Sequence, residues 1–178
     1  TGNVQKVGVE INDIYPESWI DCYKEMYKDV ANDPALWAKY VQDNTEADFV
    51  CLRFVGADPN ADDKSPEECA EVAKKVADAI DLPLVVAGCG VAEKDGKVFA
   101  KVSEALEGKN VLILSAVEDN YKEVGASAGL AYGQKVGAES AVDINLAKQM
   151  NVLLTQLGVK PENIVMQIGC SAVGYGYE

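Results

Sequence analysis

The run Leu82-Pro83-Leu84-Val85-Val86-Ala87-Gly88-Cys89-Gly90 limits this chain to few folds. An apolar strand ends in a tight Gly-Cys-Gly turn, and a helix pattern over residues 93–106 follows directly. The same order recurs along the chain: apolar strand, small or polar loop, amphipathic helix. Alternation with short connections requires a parallel sheet covered by helices. The fold class is therefore α/β, and function is expected where the strands end.

Residues 7–11 alternate as a first strand. Residues 48–55 form a second, whose near-continuous apolar run predicts burial on both faces. Residues 82–87, 111–114, 135–139 and 164–168 supply four more. Arg53 in the second strand is expected to pair with a carboxylate on another strand. Residues 12–31 show no clean period and read as a long excursion with a short helix. Asp33 caps the next helix, with Pro34 in its first position and Trp37, Tyr40 and Val41 on its apolar face. Ser65-Pro66-Glu67-Glu68 spells a capping box, followed by Cys69, Val72, Val76 and Ile80 on one face. A helix rich in small residues is expected up to Tyr132. Asp143 caps a last helix that Gly158 stops.

These elements fill one domain over residues 1–178. Two closures compete. An open doubly wound sheet of six strands fits the length. A (β/α)8 barrel takes about 250 residues, so this stretch would hold about six of its eight units. In either closure a ligand meets the carboxyl ends of the strands. No G-x-G-x-x-G follows the first strand, Walker A is absent, and Gly174-Tyr175-Gly176 lies at the wrong end of the chain.

Charge narrows the partners. Sixteen basic against 29 acidic residues give a net charge of −13, which disfavours nucleic acid and anionic membrane surfaces. No apolar run approaches the roughly 18 residues of a membrane span. No basic-then-apolar leader opens the chain, whose first residue is Thr rather than Met, as in an excised or processed piece. Five cysteines, at 22, 51, 69, 89 and 170, form no C-x-x-C. They are expected to be reduced thiols of a cytoplasmic protein, with Cys51 and Cys69 in the core. Cys89 and Cys170 each follow a glycine at a strand end. The chain has no His, which excludes Ser-His or Cys-His catalysis and any His-ligated metal. No thiolate spacing fits zinc or iron–sulfur. Neither catalytic nor metal-binding residues are expected in this chain.

The strand ends gather carboxylates and amides, which suit neutral ligands bearing N–H groups and suit phosphate poorly. Glu10, Asp58, Ser115, Glu118, Asn120, Ser140, Asp143, Asn145 and Ser171 belong to that rim. Asn120 and Asp143 read equally well as helix caps.

An ordered series of short motifs resembles a known family. It includes N-D-P-A-L-W-A-K at 32–39, A-D-F-V-C-L-R at 47–53, S-P-E-E-C-A-E-V at 65–72, D-L-P-L-V-V-A-G at 81–88 and E-K-D at 93–95. N-Y-K at 120–122, A-Y-G at 131–133, D-I-N-L-A-K-Q at 143–149 and G-Y-G-Y-E at 174–178 complete it. The series resembles the small subunit of the corrinoid iron–sulfur protein, the delta subunit of the acetyl-CoA decarbonylase/synthase complex. The resemblance implies a pterin-binding-like TIM barrel, here reduced to about six βα units because the family's chains continue past this point. It implies a large partner subunit carrying a corrinoid and a [4Fe–4S] cluster, and transient contact with a methyltransferase and acetyl-CoA synthase. The corrinoid would be contacted at the interface with that subunit, shielded on one side by the barrel top. Gly88, Cys89, Gly90, Ser115, Asn120, Asp143, Asn145 and Gly169 are the candidate cofactor contacts.

The barrel also resembles the methyltetrahydropterin:corrinoid methyltransferase, the alternative function. Asn120, Asp143 and Asn145 would then be the pterin contacts. That relative places an Asp after its third strand and an Asn after its fourth. Here those places read Ala87-Gly88-Cys89 and Ser115-Ala116, so an open, uncharged mouth is expected.

Overall fold

The computed structural model describes residues 4–169. Expectations attached to Cys170, Ser171 and Gly174-Tyr175-Gly176 lie outside the described residues. Among the described residues six strands alternate with helices: β1 (Gly8–Asn12), α1 (Asp21–Tyr27), α2 (Pro34–Asn44), β2 (Phe49–Arg53), α3 (Pro66–Ala79) and β3 (Leu84–Ala87). The order continues with α4 (Ala92–Ala105), β4 (Leu112–Ala116), α5 (Tyr121–Val124), β5 (Lys135–Glu139), α6 (Ile144–Gln156) and β6 (Ile164–Gln167).

All neighbouring strands pair in parallel, and the sheet order β1-β2-β3-β4-β5-β6 repeats the chain order. That order decides between the two closures. A doubly wound sheet reverses direction at a switch point, which sends helices to both faces. Here every crossover steps the same way, and right-handed crossovers then put all their helices on one face. The winding is that of a TIM barrel over six βα units. Among the described residues β1 and β6 remain edges and the sheet is not closed.

The core lies between the sheet's convex face and the helices. Ile11, Val50, Leu52, Val86 and Ile113 point into it and meet Trp37, Phe99, Val102, Leu106 and Leu154. The expected two-sided burial of β2 is corrected. Val50 and Leu52 are fully buried, whereas Phe49, Cys51 and Arg53 on the concave face are half-buried. An open sheet covers that face only partly, so an unbroken apolar run still alternates in burial. Cys69 is a core residue as expected, but Cys51 faces the concave side.

Local signals place the helices. The Asp33 carboxylate accepts from Ala35 N (2.9 Å) and Leu36 N (3.3 Å). Ser65 and Glu68 close the reciprocal box, with Glu68 N donating to Ser65 Oγ (3.2 Å) and Ser65 N to Glu68 Oε2 (2.8 Å). The excursion after β1 contains α1, none of whose residues is buried. Aromatic contacts anchor it, with the Trp19 and Tyr27 rings 5.5 and 5.4 Å from Trp37. The single helix expected up to Tyr132 is broken. α5 gives way to a π-helical segment, Gly125–Ala131, closed by Tyr132 N donating to Ser127 O. Gly125 and Gly129 lie against Leu154 and Val159 so closely that a Cβ at either position would strike them.

Candidate functional site

The carboxyl ends of the strands surround a cavity of about 310 Å³ on the concave side. Its wall is built from residues at the ends of all six strands and the loops that leave them. β1 and β2 contribute Glu10, Cys51 and Arg53; the β3 turn contributes Ala87, Gly88 and Gly90. Asp95 from α4, Ser115 from β4 and Asn120 from the next loop follow, then Glu139 from β5 and Gln167 from β6. Leu114 lies over Gly137 and forms an apolar floor.

Most of the polar groups are committed to one another. Arg53 lies beside Glu10 on the neighbouring strand, as expected, with Nε donating to Oε1 (2.9 Å) and Nη2 to Oε2 (3.0 Å). That hydrogen-bonded carboxylate raises the guanidinium's pKa above its usual value, against the lowering by burial. Asp95 is 6% exposed. Its Oδ1 accepts from Cys89 N (2.8 Å) and Cys89 Sγ (3.1 Å), and its Oδ2 from Gly90 N (2.9 Å). Gly90 adopts φ +94°, a backbone conformation that glycine takes without strain. Asn120 ties two loops together, its Oδ1 accepting from Val117 N (2.8 Å) and its Nδ2 donating to Ala92 O (3.2 Å).

The thiols here are poor nucleophiles. Burial, then the Glu10 charge, pushes Cys51 up to about 11. Burial also pushes Cys89 up to about 11, and Asp95 adds to the rise through its hydrogen bond and charge. Both are protonated near neutral pH, and the thiolate is the reactive form.

Gly88, Gly90, Ser115 and Asn120 thus meet at one cavity. Cys89 forms part of the same turn, but its thiol turns to Asp95 and does not line the space. Asp143 caps α6, accepting from Asn145 N (2.8 Å) and Leu146 N (3.0 Å). Asp143, Asn145 and Gly169 are exposed and lie outside the cavity wall. The expectation of an uncharged mouth is corrected, because Glu10, Arg53, Asp95 and Glu139 all line it. The carboxylate missing after β3 is supplied by the helix instead, through Asp95. Two signals could have found these residues. Backbone N–H groups in a Gly-x-Gly turn require an acceptor nearby, and an acidic residue sits in the first turn of the next helix. Strand parity places Glu139 on the same face as Lys135 and Gly137.

The family model for the CO dehydrogenase/acetyl-CoA synthase delta subunit matches residues 2–178. The chain belongs to that family. A delta subunit of the acetyl-CoA decarbonylase/synthase complex from Methanothermobacter thermautotrophicus is 38% identical over 156 residues, covering 87% of this chain and 40% of the relative. Its counterpart from Methanocaldococcus jannaschii is 35% identical over 156 residues, 87% of this chain and 38% of the relative. The Archaeoglobus fulgidus subunit is 35% identical over 153 residues, 85% of this chain and 34% of the relative. This delta-family chain thus spans about two fifths of the length of such relatives. Among its described residues, no helix is long and apolar enough to cross a membrane. No group of three His, Cys, Asp or Glu side chains among them is placed to hold a metal ion.

Proposed function

We propose that this chain is a non-catalytic subunit of an acetyl-CoA decarbonylase/synthase-type assembly, its barrel mouth resting against a corrinoid held by a large partner subunit. That partner would also carry the [4Fe–4S] cluster, with a methyltransferase and acetyl-CoA synthase as transient partners in the cytoplasm. The corrinoid supplies the cobalt that carries a methyl group from methyl-tetrahydropterin to acetyl-CoA synthase. The residues of this chain exclude water from one face and orient what lies against them. Family membership supports this reading, and one observation carries it. Glu10, Arg53, Asp95 and Asn120 hydrogen-bond one another or the loops around them, and the thiols are protonated. Such a mouth is a preformed wall rather than a reaction centre.

The wall fits a macrocycle that rests on it. Gly90 leaves open space where a Cβ would stand, and the small side chain of Ala92 keeps the rim low. A pocket of about 310 Å³ is at the small end of the range for ligand sites, about 300–1,000 Å³. It cannot enclose a corrin ring, which must lie over it. The test is a calorimetric titration of this chain with a corrinoid-loaded large subunit, followed in parallel by visible absorption. Saturable association with a change in the cobalt chromophore is expected. Absence of association at micromolar concentrations would end the proposal.

One observation favours the methyltransferase alternative. Asp95 and Asn120 bring a carboxylate and an amide, following β3 and β4, to one cavity. Saturable heat with methyltetrahydropterin, lost in Asn120→Ala, would support it. Silence at millimolar pterin would count against it, as expected from two side chains already bound within the protein.

A further inference from the structure

We infer that Glu139 and Gln167 form a subsite that reads a carboxamide side arm of the corrinoid, selecting the amide over the corresponding acid. The inference rests on the corrinoid-facing role proposed above and names the residues that would make it specific. Two polar ends in the cavity differ from the rest. The Glu139 carboxylate has no hydrogen-bond partner among the described residues, and the Gln167 amide is held only through its oxygen, which accepts from Ser115 Oγ at 3.2 Å. Among the described residues the Gln167 amide nitrogen therefore remains a free donor.

These two ends stand side by side. Glu139 and Gln167 are register partners at the carboxyl ends of β5 and β6. A carboxylate accepts, and an amide nitrogen donates. The pair presents an acceptor next to a donor, which is the complement of a primary carboxamide: its NH2 donates to Glu139 and its C=O accepts from Gln167. Corrinoids bear primary acetamide and propionamide arms around the ring. The cavity is too small for the ring but has room for one arm, whose methylenes would meet the Leu114 floor.

Charge sets the selectivity. The Glu10 and Arg53 charges cancel at hydrogen-bond distance, and Asp95 is compensated by two backbone N–H groups. The Glu139 charge has no such partner among the described residues. An arm ending in a carboxylate would meet like charge, whereas an amide would not.

The test uses this chain with the large subunit, loaded either with a corrinoid bearing all its amides or with one in which an arm is hydrolysed to a carboxylate. Association is measured by calorimetry and the chromophore by visible absorption. For the unaltered chain, the acid form is expected to weaken association by about tenfold or more, equivalent to about 1.4 kcal/mol. Glu139→Gln is expected to weaken binding of the amide form and to bring the two forms within about twofold of each other. Gln167→Ala, which leaves the carboxylate in place, should weaken the amide form while keeping discrimination against the acid. Equal affinity of the unaltered chain for both forms would overturn the inference while leaving the corrinoid-facing role intact. An equal loss for Glu139→Gln against the corrinoid-free large subunit would also overturn it, because the contact would then be to polypeptide. Failure of the unaltered chain to associate at all would remove the underlying role and the subsite with it.

Discussion

The Asp95 carboxylate occupies the space that a Cβ on Gly88 would need. One residue ends a strand and the other lies in the first turn of the following helix. The missing side chain at 88 lets the carboxylate reach the Cys89 and Gly90 N–H groups. The β3 turn is locked in this way, and with it the shape of one side of the mouth.

Gly88→Ala must displace that carboxylate. Overpacking of this kind costs about 1–3 kcal/mol, and stranding the N–H groups adds about 1–3 kcal/mol. A loss of about 3 kcal/mol in urea unfolding is expected for Gly88→Ala, and a similar loss for Asp95→Ala. The double variant should cost less than the sum, because the clash disappears once Asp95 is gone. Strict additivity would refute the arrangement.

The fold was legible because local signals agree with one another. Ser65-Pro66-Glu67-Glu68, Asp33-Pro34 and the Asp143 cap each act within a few residues, and each formed as expected. The strand order was not legible in the local signals, because it depends on which side each helix crosses; the family resemblance alone implied the barrel order, and the sheet has it. The site was half legible. Gly88, Gly90, Ser115 and Asn120 sit at strand ends and could be found by position alone. Asp95 could not, since it reaches the mouth backwards from a helix. Glu139 and Gln167 needed strand parity, and parity is hidden in short strands where Gly137 leaves no side chain to mark the inner face.

The buried and half-buried thiols predict the alkaline limb of stability. Burial raises the folded-state values of Cys51 and Cys89 to about 11 and of Cys69 to about 12, from 9.0. A group raised on folding stabilises the fold while it stays protonated. That contribution is complete below about pH 9 and is lost as the pH climbs through about 11 to 12. Urea midpoints are expected to fall across this window, and Cys69→Ala should shed part of the fall. A parallel decline in wild type and variant would refute the assignment. At pH 7.5, alkylation should reach the exposed Cys22 before Cys51, Cys69 and Cys89. Asp95→Asn, which removes a group that raises the Cys89 pKa, should speed labelling at Cys89.

The Glu10–Arg53 pair is expected to contribute little stability despite its two hydrogen bonds. Its side chains are 48% and 43% exposed, and pairs at such sites are worth about 0–1 kcal/mol. A double-mutant cycle of Glu10→Gln and Arg53→Met should give a coupling of about 0.5 kcal/mol or less, shrinking in molar salt. A coupling several times larger, or insensitivity to salt, would mean that the mouth is far drier than its exposure indicates.

The loop leaving β5 stores strain that can be released. Ala141 and Val142 adopt φ +35° and +68° in succession, and a β-branched residue in the left-handed region is a steric outlier. Left-handed backbone costs an L-residue about 1–2 kcal/mol, while an added glycine gives back part of that through the unfolded chain. The Val142 side chain is 45% exposed, so removing it sacrifices little burial. Val142→Gly is therefore expected to raise stability by about 0.5–1 kcal/mol, read as a higher urea midpoint at unchanged slope. Val142→Asn should move the midpoint the same way by less, since Asn tolerates this region better than Val. If both variants lower the midpoint, the strain is absent, and Val142 is held by packing rather than forced into place by the Asp143 cap that follows it.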